Sequence, residues 1–446
     1  MAPKRIALYG NFGSGNIGNE CTLQAVTEQL RLRWPDARLT CLCTIPEDVR
    51  SRHGMKAVRA AVTDSGWSWA DLDRDPLAPA PARAQPPRWL RIVSKVLRLA
   101  FRRIPLELAH WIRGFALLAR CDLLIVPGTQ VVSDYLCGPG SWPYDIYKWS
   151  TLARLCRVKL IFLSVGVGPI GHPLSRRLIA RSLAGASYRS YRDRESQSTA
   201  ERIGLPARTD PLFPDLAFGL SAQSLPAPTP HSGARRVIGV GVKNLPGVSD
   251  AAAADAYARY LDTTADFIAH LQQRGYAVRL LIGDLQYDIK PRSELLQAMR
   301  RKGVATEAPH LLVDDPRSVD DLLRQLEETD VVVSPRLHNL ILALLLGRPV
   351  IALSDHSKLD RLLAELELSD YRVALEPLRL ETLLERFERV ERYAGGLRTH
   401  IRGRVERYRL ALEEQYERVF AAGAAPDAAA ARNLPPATSA RNTAAP

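Results

Sequence analysis

The chain is predicted to be an α/β protein with two Rossmann-like lobes facing a cleft, followed by C-terminal helices and a disordered tail. Three observations predict it. Short runs of β-branched and aliphatic residues alternate with helical patterns along most of the chain, as in parallel sheets covered on both faces. The alternation breaks once, at 221–233, where Ser224-Leu-Pro-Ala-Pro-Thr-Pro-His-Ser-Gly233 reads as a linker, and then restarts. Near the end of the second series, Asp330-Val-Val-Val-Ser-Pro-Arg-Leu-His-Asn339 is followed by an apolar helix, Gly347 and the strand Arg348-Pro-Val-Ile-Ala-Leu353, a complete β-α-β unit.

Each element follows from its local pattern. In the first lobe (1–220), Arg5–Tyr9 is a strand, 11–19 a glycine-rich loop, 20–34 a helix and Arg38–Leu42 a strand. The buried strands 122–126 and 159–164 continue the sheet, and 188–191 and the Asp215 region read as shorter ones. The second lobe (234–377) has strands at 237–242, 277–282, 311–313 and 331–333, with helices at 256–273, 292–301 and 318–328. Over 378–421, Leu383, Phe387, Val390, Val405, Tyr408, Leu412 and Tyr416 recur at helical spacing, predicting long charged helices packed across one or both lobes. The Ala/Pro-rich stretch 422–446 is expected to be disordered.

Composition narrows the function classes. With 446 residues, 46% hydrophobic and 24% charged, the chain is globular and long enough for two domains. Its net charge of +13 is concentrated in an insertion at 83–113, where Arg83, Arg88, Arg91, Lys95, Arg98, Arg102, Arg103 and Arg113 face only Glu107. Basicity confined to one segment argues against nucleic-acid binding by the whole protein. Within 89–104, Trp89, Ile92, Val93, Val96, Leu97 and Ala100 share one helical face, with Arg91, Lys95, Arg98 and Arg102 opposite. Such a helix either packs on the first lobe with a solvated basic face, the favoured reading, or makes peripheral contact with an anionic membrane. The six cysteines form no Cys-x-x-Cys array, so neither zinc nor a disulfide framework is indicated. Met1-Ala-Pro-Lys-Arg5 runs into a strand without a signal-peptide core, and no apolar run approaches the ~20 residues of a spanning helix. The expectation is cytoplasmic, or peripheral at the inner membrane surface should the basic helix lie on lipid.

Two motifs carry chemistry. Arg336 and His338 lie where a strand ends and a helix begins, the edge at which open α/β sheets bind ligands and at which free N–H groups favour an anion. An arginine fork two residues from an imidazole suits chemistry on an anionic substrate; a capping loop with a surface ion pair is the plain alternative. The loop Gly10-Asn-Phe-Gly-Ser-Gly-Asn-Ile-Gly-Asn-Glu20 lets a ligand approach the backbone closely or simply makes a tight turn. It lacks the Lys-Ser/Thr of a Walker A loop, and no acidic residue closes the next strand as a dinucleotide site requires.

Taken in order, the glycine loop, Val126-Pro-Gly-Thr-Gln-Val-Val-Ser-Asp134, Ser164-Val-Gly-Val-Gly-Pro169, Tyr191-Arg-Asp-Arg-Glu-Ser196, Pro214-Asp-Leu-Ala-Phe218, Ser334-Pro-Arg-Leu-His338 and Ser354-Asp-His-Ser-Lys358 resemble the polysaccharide pyruvyl transferases over roughly residues 5–370. The resemblance implies a glycosyltransferase-B-like fold and transfer of the enolpyruvyl group of phosphoenolpyruvate to a saccharide acceptor, free or lipid-linked, as a pyruvate ketal, with no cofactor and no metal. It maps a catalytic histidine onto His338 and donor-binding residues onto Arg336, Lys243 (where arginine is more usual) and Lys358. On the acceptor side, Gly13, Asn16, Gly18, Glu20 and Asp134 are candidates; Glu20 reads equally as a first-turn helix residue and Asp134 as a helix N-cap. Asp193 and Asp215 read as capping or turn residues. The chain departs from the family at Asn19 (usually Asp), at Pro127-Gly128-Thr129 (usually three glycines) and at Asp355 (usually Tyr). Two readings compete with the transferase: a nucleotide-sugar-dependent glycosyltransferase of the same fold, and a catalytically degenerate binding subunit.

Overall fold

The computed structural model describes residues 3–62, 104–227 (130 and 136 apart), 236–245 and 251–420 (356 apart). Two six-stranded parallel sheets organise it. The first has the order β3-β2-β1-β4-β5-β6, with β1 Arg5–Tyr9, β2 Arg38–Cys43, β3 Lys56–Arg59, β4 Leu123–Pro127, β5 Lys159–Val165 and β6 Tyr188–Tyr191. The second has the order β12-β11-β10-β7-β8-β9, with β7 Val237–Gly241, β8 Ala277–Leu281, β9 Leu311–Leu312, β10 Val331–Ser334, β11 Val350–Ser354 and β12 Arg372–Ala374. Renumbered from its own first strand, the second sheet repeats the order of the first. In each, strand order reverses beside the first strand, at β1/β4 and β7/β10, which opens a crevice at the carboxyl edge.

The central strands are apolar throughout because helices cover both faces: every residue of β4, β8, β10 and β11 is buried. Helix α10 (Leu337–Leu345) is buried almost all round and ends at Gly347, whose φ of +68° closes the helix in the left-handed region. The other helices are α1 Ile17–Arg33, α2 Pro46–His53, α3 Ile104–Leu118, α4 Trp142–Leu155, α5 Pro173–Ala184, α6 Arg194–Arg202, α7 Ala251–Gln273, α8 Ile289–Arg301, α9 Val319–Glu327, α11 Ser357–Glu365 and α12 Leu380–Phe420.

Three expectations need correction. Helix α1 starts at Ile17, inside the expected loop, because the Asn16 side chain accepts from Asn19 N and caps it there. The Asp215 region is a 3-10 turn, Leu216–Gly219, fully buried under α12, and the chain leading to it meets β6 in an isolated bridge between Tyr191 and Leu212 rather than as a strand. The C-terminal helices are one continuous 41-residue helix, about 60 Å long at 1.5 Å per residue. Its first part sets Phe387 edge-to-face against Phe267 and Tyr276 of the second lobe, and its last part sets Tyr408 against Phe218 of the first. Buried Gln415 donates to Ser190 Oγ (2.6 Å) and accepts from Ser164 Oγ (3.1 Å). Ser164 adopts φ +45° where the β5–β6 register shifts. The helix is therefore a strut joining both lobes. Edge strands β3 and β12 and helix α2 are too short and polar to stand out in the sequence.

Among the described residues, no helix is long and apolar enough to cross a membrane. The basic helix expected at 89–104 lies almost wholly outside the described residues, as do the tail and the second half of the linker.

Candidate active site

The two lobes meet at their carboxyl edges, and the glycine loop makes the join. Ile17 N donates to Gly283 O (3.0 Å), Leu285 N donates to Gly15 O (2.9 Å), and Asn16 Nδ2 donates to Asp284 Oδ2 (3.0 Å). Gly13 and Gly15 hold φ of +76° and +79°, which the loop needs to reach across. Gly18 packs flat on the imidazole of His338: a Cβ built there would lie 2.1 Å from Nδ1. Thus Gly13, Asn16 and Gly18 of the first lobe are at the cleft, and Gly18 sets the space that His338 occupies.

Glu20 is committed elsewhere. It is buried, accepting from Gly13 N (2.7 Å) and meeting His53 Nε2 (2.9 Å). Its carboxylate holds the loop to the first lobe. Asp134 accepts from Gly171 N and His172 N (both 2.8 Å), tying the β4 loop to the entrance of α5 rather than capping a helix of its own. Burial raises the pKa of its carboxyl, but the backbone bonds from His172 and Gly171 outweigh it and hold the pKa below the ordinary carboxylate range.

Four expected residues come together on the second lobe. His338 and Arg336 follow β10, Lys243 follows β7 and Lys358 follows β11, so the parallel register delivers all four to one edge. Arg336 turns its guanidinium onto Asp288, with Nε 3.0 and 3.1 Å from the two carboxylate oxygens and Nη2 in contact as well. Asp288 is fully buried and also accepts from Gly283 N (2.9 Å) and Asp284 N (3.0 Å). The fork expected to clamp a donor is thus held inside the protein, where it fixes the 283–288 loop on which the first lobe docks. Lys243 Nζ lies 2.6 Å from Asp355, one of the departures from the family pattern. Burial pushes the Lys243 ammonium below its ordinary range, and Asp355 opposes that shift.

Lys358 differs from both. Among the described residues no carboxylate stands in ion-pair contact with it, and burial, reinforced by Arg192, lowers its ammonium to about 7. Burial likewise lowers His338 from the usual imidazole range; Asp215 opposes the shift while Arg192, Lys358 and Arg336 add to it.

Sequence reasoning gave Asp215 and Asp193 only structural roles. Asp193 does cap α6, accepting from Ser196 N (2.7 Å). Asp215 caps its 3-10 turn through Ala217 N (3.1 Å), but its Oδ1 also lies 3.9 Å from His338 Nε2, and its Oδ2 accepts from Arg192 Nη1 (3.2 Å). A first-lobe carboxylate therefore faces the second-lobe imidazole, and Arg192 holds that carboxylate. Gly166 makes room for it, since a Cβ there would meet the guanidinium at 2.7 Å. The signal was the pair of motifs Tyr191-Arg-Asp and Pro214-Asp, which spacing alone could not join to His338.

Beside this pair lies a cavity between the lobes, walled by Arg192, Asp215, Lys358, Arg361, Glu365 and Tyr408. Asp193 also lines it, so three cations and three carboxylates share the wall. The Asn19 and Thr129 departures line the first lobe instead: Asn19 Nδ2 donates to Asn11 O (3.0 Å), and Thr129 stands buried beside Gly10. Among the described residues no three His, Cys, Asp or Glu side chains are grouped to hold a metal ion.

Comparison with known proteins bears on the family and the fold. The family described as polysaccharide pyruvyl transferase matches residues 16–357. No curated protein matches the sequence significantly. Among solved structures, UDP-GlcNAc 2-epimerase from Neisseria meningitidis aligns with a TM-score of 0.52 at 10% identity, covering 89% of this chain and 94% of its own. MnaA of S. aureus, solved with UDP, aligns at 0.56 and 10% identity over 93% and 96%. Alr3699/HepE of Anabaena, also solved with UDP, aligns at 0.51 and 14% identity over 92% and 99%. At these identities the likeness is one of fold: two Rossmann-like lobes in the glycosyltransferase-B-like arrangement.

Proposed function

The chain belongs to the polysaccharide pyruvyl transferase family, and we propose that it moves the enolpyruvyl group of phosphoenolpyruvate onto two hydroxyls of a saccharide, a polysaccharide or its precursor, as a pyruvate ketal. The observation that carries this reading is the pairing of His338 with Asp215 across the lobes, at 3.9 Å, beside a cavity walled by Arg192, Lys358 and Arg361. A donor bearing both a carboxylate and a phosphate needs more than one cation, and Lys358 is the one that a phosphate would recharge. Lys243 and Arg336 support the same edge from their carboxylate partners.

The chemistry divides into two additions at the same carbon. A proton goes to the methylene of the donor, making it a methyl group, and the first hydroxyl adds to the cationic carbon. That carbon–oxygen bond to phosphate then breaks, and the second hydroxyl adds in its place. Of the two hydroxyl protons, one replaces the proton spent on the methyl group and the other leaves with phosphate. His338 is the group assigned to pass the proton, as acid toward the methylene and base toward the hydroxyl. Asp215, 3.9 Å from the ring, favours its charged form by the attraction of opposite charges. The reaction balances without a cofactor.

Fold alone accommodates a nucleotide-sugar donor equally well. The two separate by thermal shift: phosphoenolpyruvate should raise the melting temperature and a UDP-sugar should not. With an acceptor, His338→Ala should lower phosphate release by about a hundredfold or more while the phosphoenolpyruvate shift persists. Wild-type release from a folded His338→Ala protein sinks the assignment. Intact donor binding without turnover on any acceptor favours a binding subunit.

A further inference from the structure

Helix α3 (Ile104–Leu118) is built the wrong way round for a helix that faces water. Its inner face is fully employed. Gly114 packs on Leu152 and Trp149 of α4, Trp111 Nε1 donates to Tyr144 Oη (3.0 Å), and Glu107 receives Lys148 Nζ (3.0 Å) and Tyr144 Oη (2.9 Å). The outer face is apolar. Ile104, Leu108, Ile112 and Phe115 recur at helical spacing on it, and Leu108 and Ile112 are 58% and 70% exposed. Leu155 extends the patch: it is 63% exposed, and its neighbour Cys156 contacts Phe115 O through Sγ (3.6 Å). Exposed Arg113 and Arg120 border the apolar face, and the helix's one carboxylate, Glu107, is turned inward. A contiguous apolar surface with a basic edge marks an interaction site.

We propose that the outer face of α3 docks the protein on an anionic phospholipid surface. Charge selects this occupant. A second copy would bring identical arginine-edged faces together, placing like charges across the contact. The chain's own upstream segment carries an apolar face, Trp89, Ile92, Val93, Val96 and Leu97, and is the competing occupant: a patch it covered would leave the wild type unbound to anionic vesicles. Anionic lipid instead attracts Arg113, Arg120 and the basic run immediately before the helix, while the apolar side chains enter the headgroup boundary. Among the described residues no helix is long and apolar enough to cross a membrane, and the contact proposed is that of a helix lying along the surface. It must turn back within four residues to enter β4 at Leu123, which directs its first turn toward the cleft edge of the sheet. The surface is independent of the donor chemistry, since lipid binding is read without substrate.

The test is cosedimentation of the full chain with phosphatidylcholine vesicles, with and without phosphatidylglycerol. The wild type should pellet with the anionic vesicles and remain in solution with the neutral ones. Leu108→Glu/Ile112→Glu should lower the partition coefficient at least about tenfold, and the milder Leu108→Ser/Ile112→Ser pair should lower it in the same direction. Arg113→Gln/Arg120→Gln should reduce it severalfold, and added salt should do the same. All three variants alter exposed side chains, so the melting temperature and its rise with phosphoenolpyruvate should match the wild type. Wild-type pelleting of both apolar variants overturns the proposal and moves any lipid contact to the upstream segment. Failure of the wild type to bind anionic vesicles also overturns it. So does a dimer, seen by sedimentation velocity, that the apolar variants dissociate.

Discussion

The two lobes share a strand order but use the same edge in opposite ways. On the first lobe the charged groups near the crest are satisfied by their own lobe: Glu20 by Gly13 N and His53, Asp134 by Gly171 N and His172 N. What this lobe offers the cleft is backbone and glycine at the loop, with Arg192, Asp193 and Asp215 at the cavity. On the second lobe the crest is cationic and the cations are graded. Arg336 is locked to a buried carboxylate, Lys243 is paired with Asp355, and Lys358 is held near the point of losing its proton. The first lobe shapes the site and adds Arg192 and Asp215; the second lobe supplies Lys243, Arg336 and Lys358. A repeated fold thus yields two half-sites with different duties, because the loops after the strands, and not the strands, carry the chemistry.

The strongest way to break this comparison is to spoil the shape without touching a charge. Gly18→Ala should displace the imidazole of His338, and a displacement of about 1 Å is enough to cost about a hundredfold in turnover. The KM for phosphoenolpyruvate should stay near wild type; a change confined to KM would mean that Gly18 shapes the donor pocket instead.

Removing charge should act the other way. Lys358→Met should raise the KM for phosphoenolpyruvate at least about tenfold, the worth of one hydrogen bond to a charged group. The wild-type enzyme also has a distinctive pH signature. Its free Lys358 loses a proton near 7, against 10.5 in the unfolded chain. Between those values unfolding takes up a proton, so this residue makes stability rise with pH across that window, and its full cost is felt below it. Donor binding should therefore draw a proton from solvent near pH 8, measurable by calorimetry in buffers of different ionisation enthalpy. No proton uptake, or equal uptake by Lys358→Met, contradicts the assignment.

A smaller effect sharpens the grading of the cations. Lys243→Ala should raise the same KM about fivefold, because a cation is lost while the Asp355 carboxylate beside it remains, and Lys243→Ala/Asp355→Ala should recover much of the loss. Additive single effects would separate the pair. Glu20→Gln should change turnover by no more than about twofold while lowering stability by about 1–2 kcal/mol, the usual worth of a buried hydrogen-bonding group. A large fall in turnover at unchanged melting temperature would place Glu20 in the chemistry after all.

Much of the fold was legible because parallel strands buried on both faces need uninterrupted apolar runs, and Val331–Val333 and Leu123–Val126 supply them. Edge elements were not. Lys56–Arg59 and Arg372–Ala374 are short, half-exposed strands whose residues fit a loop equally well. At the site, Arg336 and His338 could be placed at a crest because they follow a strand that the pattern identified, whereas Lys243 and Lys358 were singled out by the family resemblance. The partners Asp288, Asp355 and Asp215 could not, since an ion pair across 48 residues or across two lobes leaves no periodicity.

By itself, then, the sequence determined which residues stand at the crests of two repeated α/β lobes, because local periodicity fixes strands, and parallel strands deliver their carboxyl ends to one edge. Only the tertiary structure decided what those residues meet. Long-range pairing turned the Arg336 fork inward to Asp288, set Gly18 against His338, and left Lys358 without a carboxylate of its own among the described residues. The physical reason is desolvation: a charge's worth depends on what replaces its water, and that is known only when the chain has closed around it.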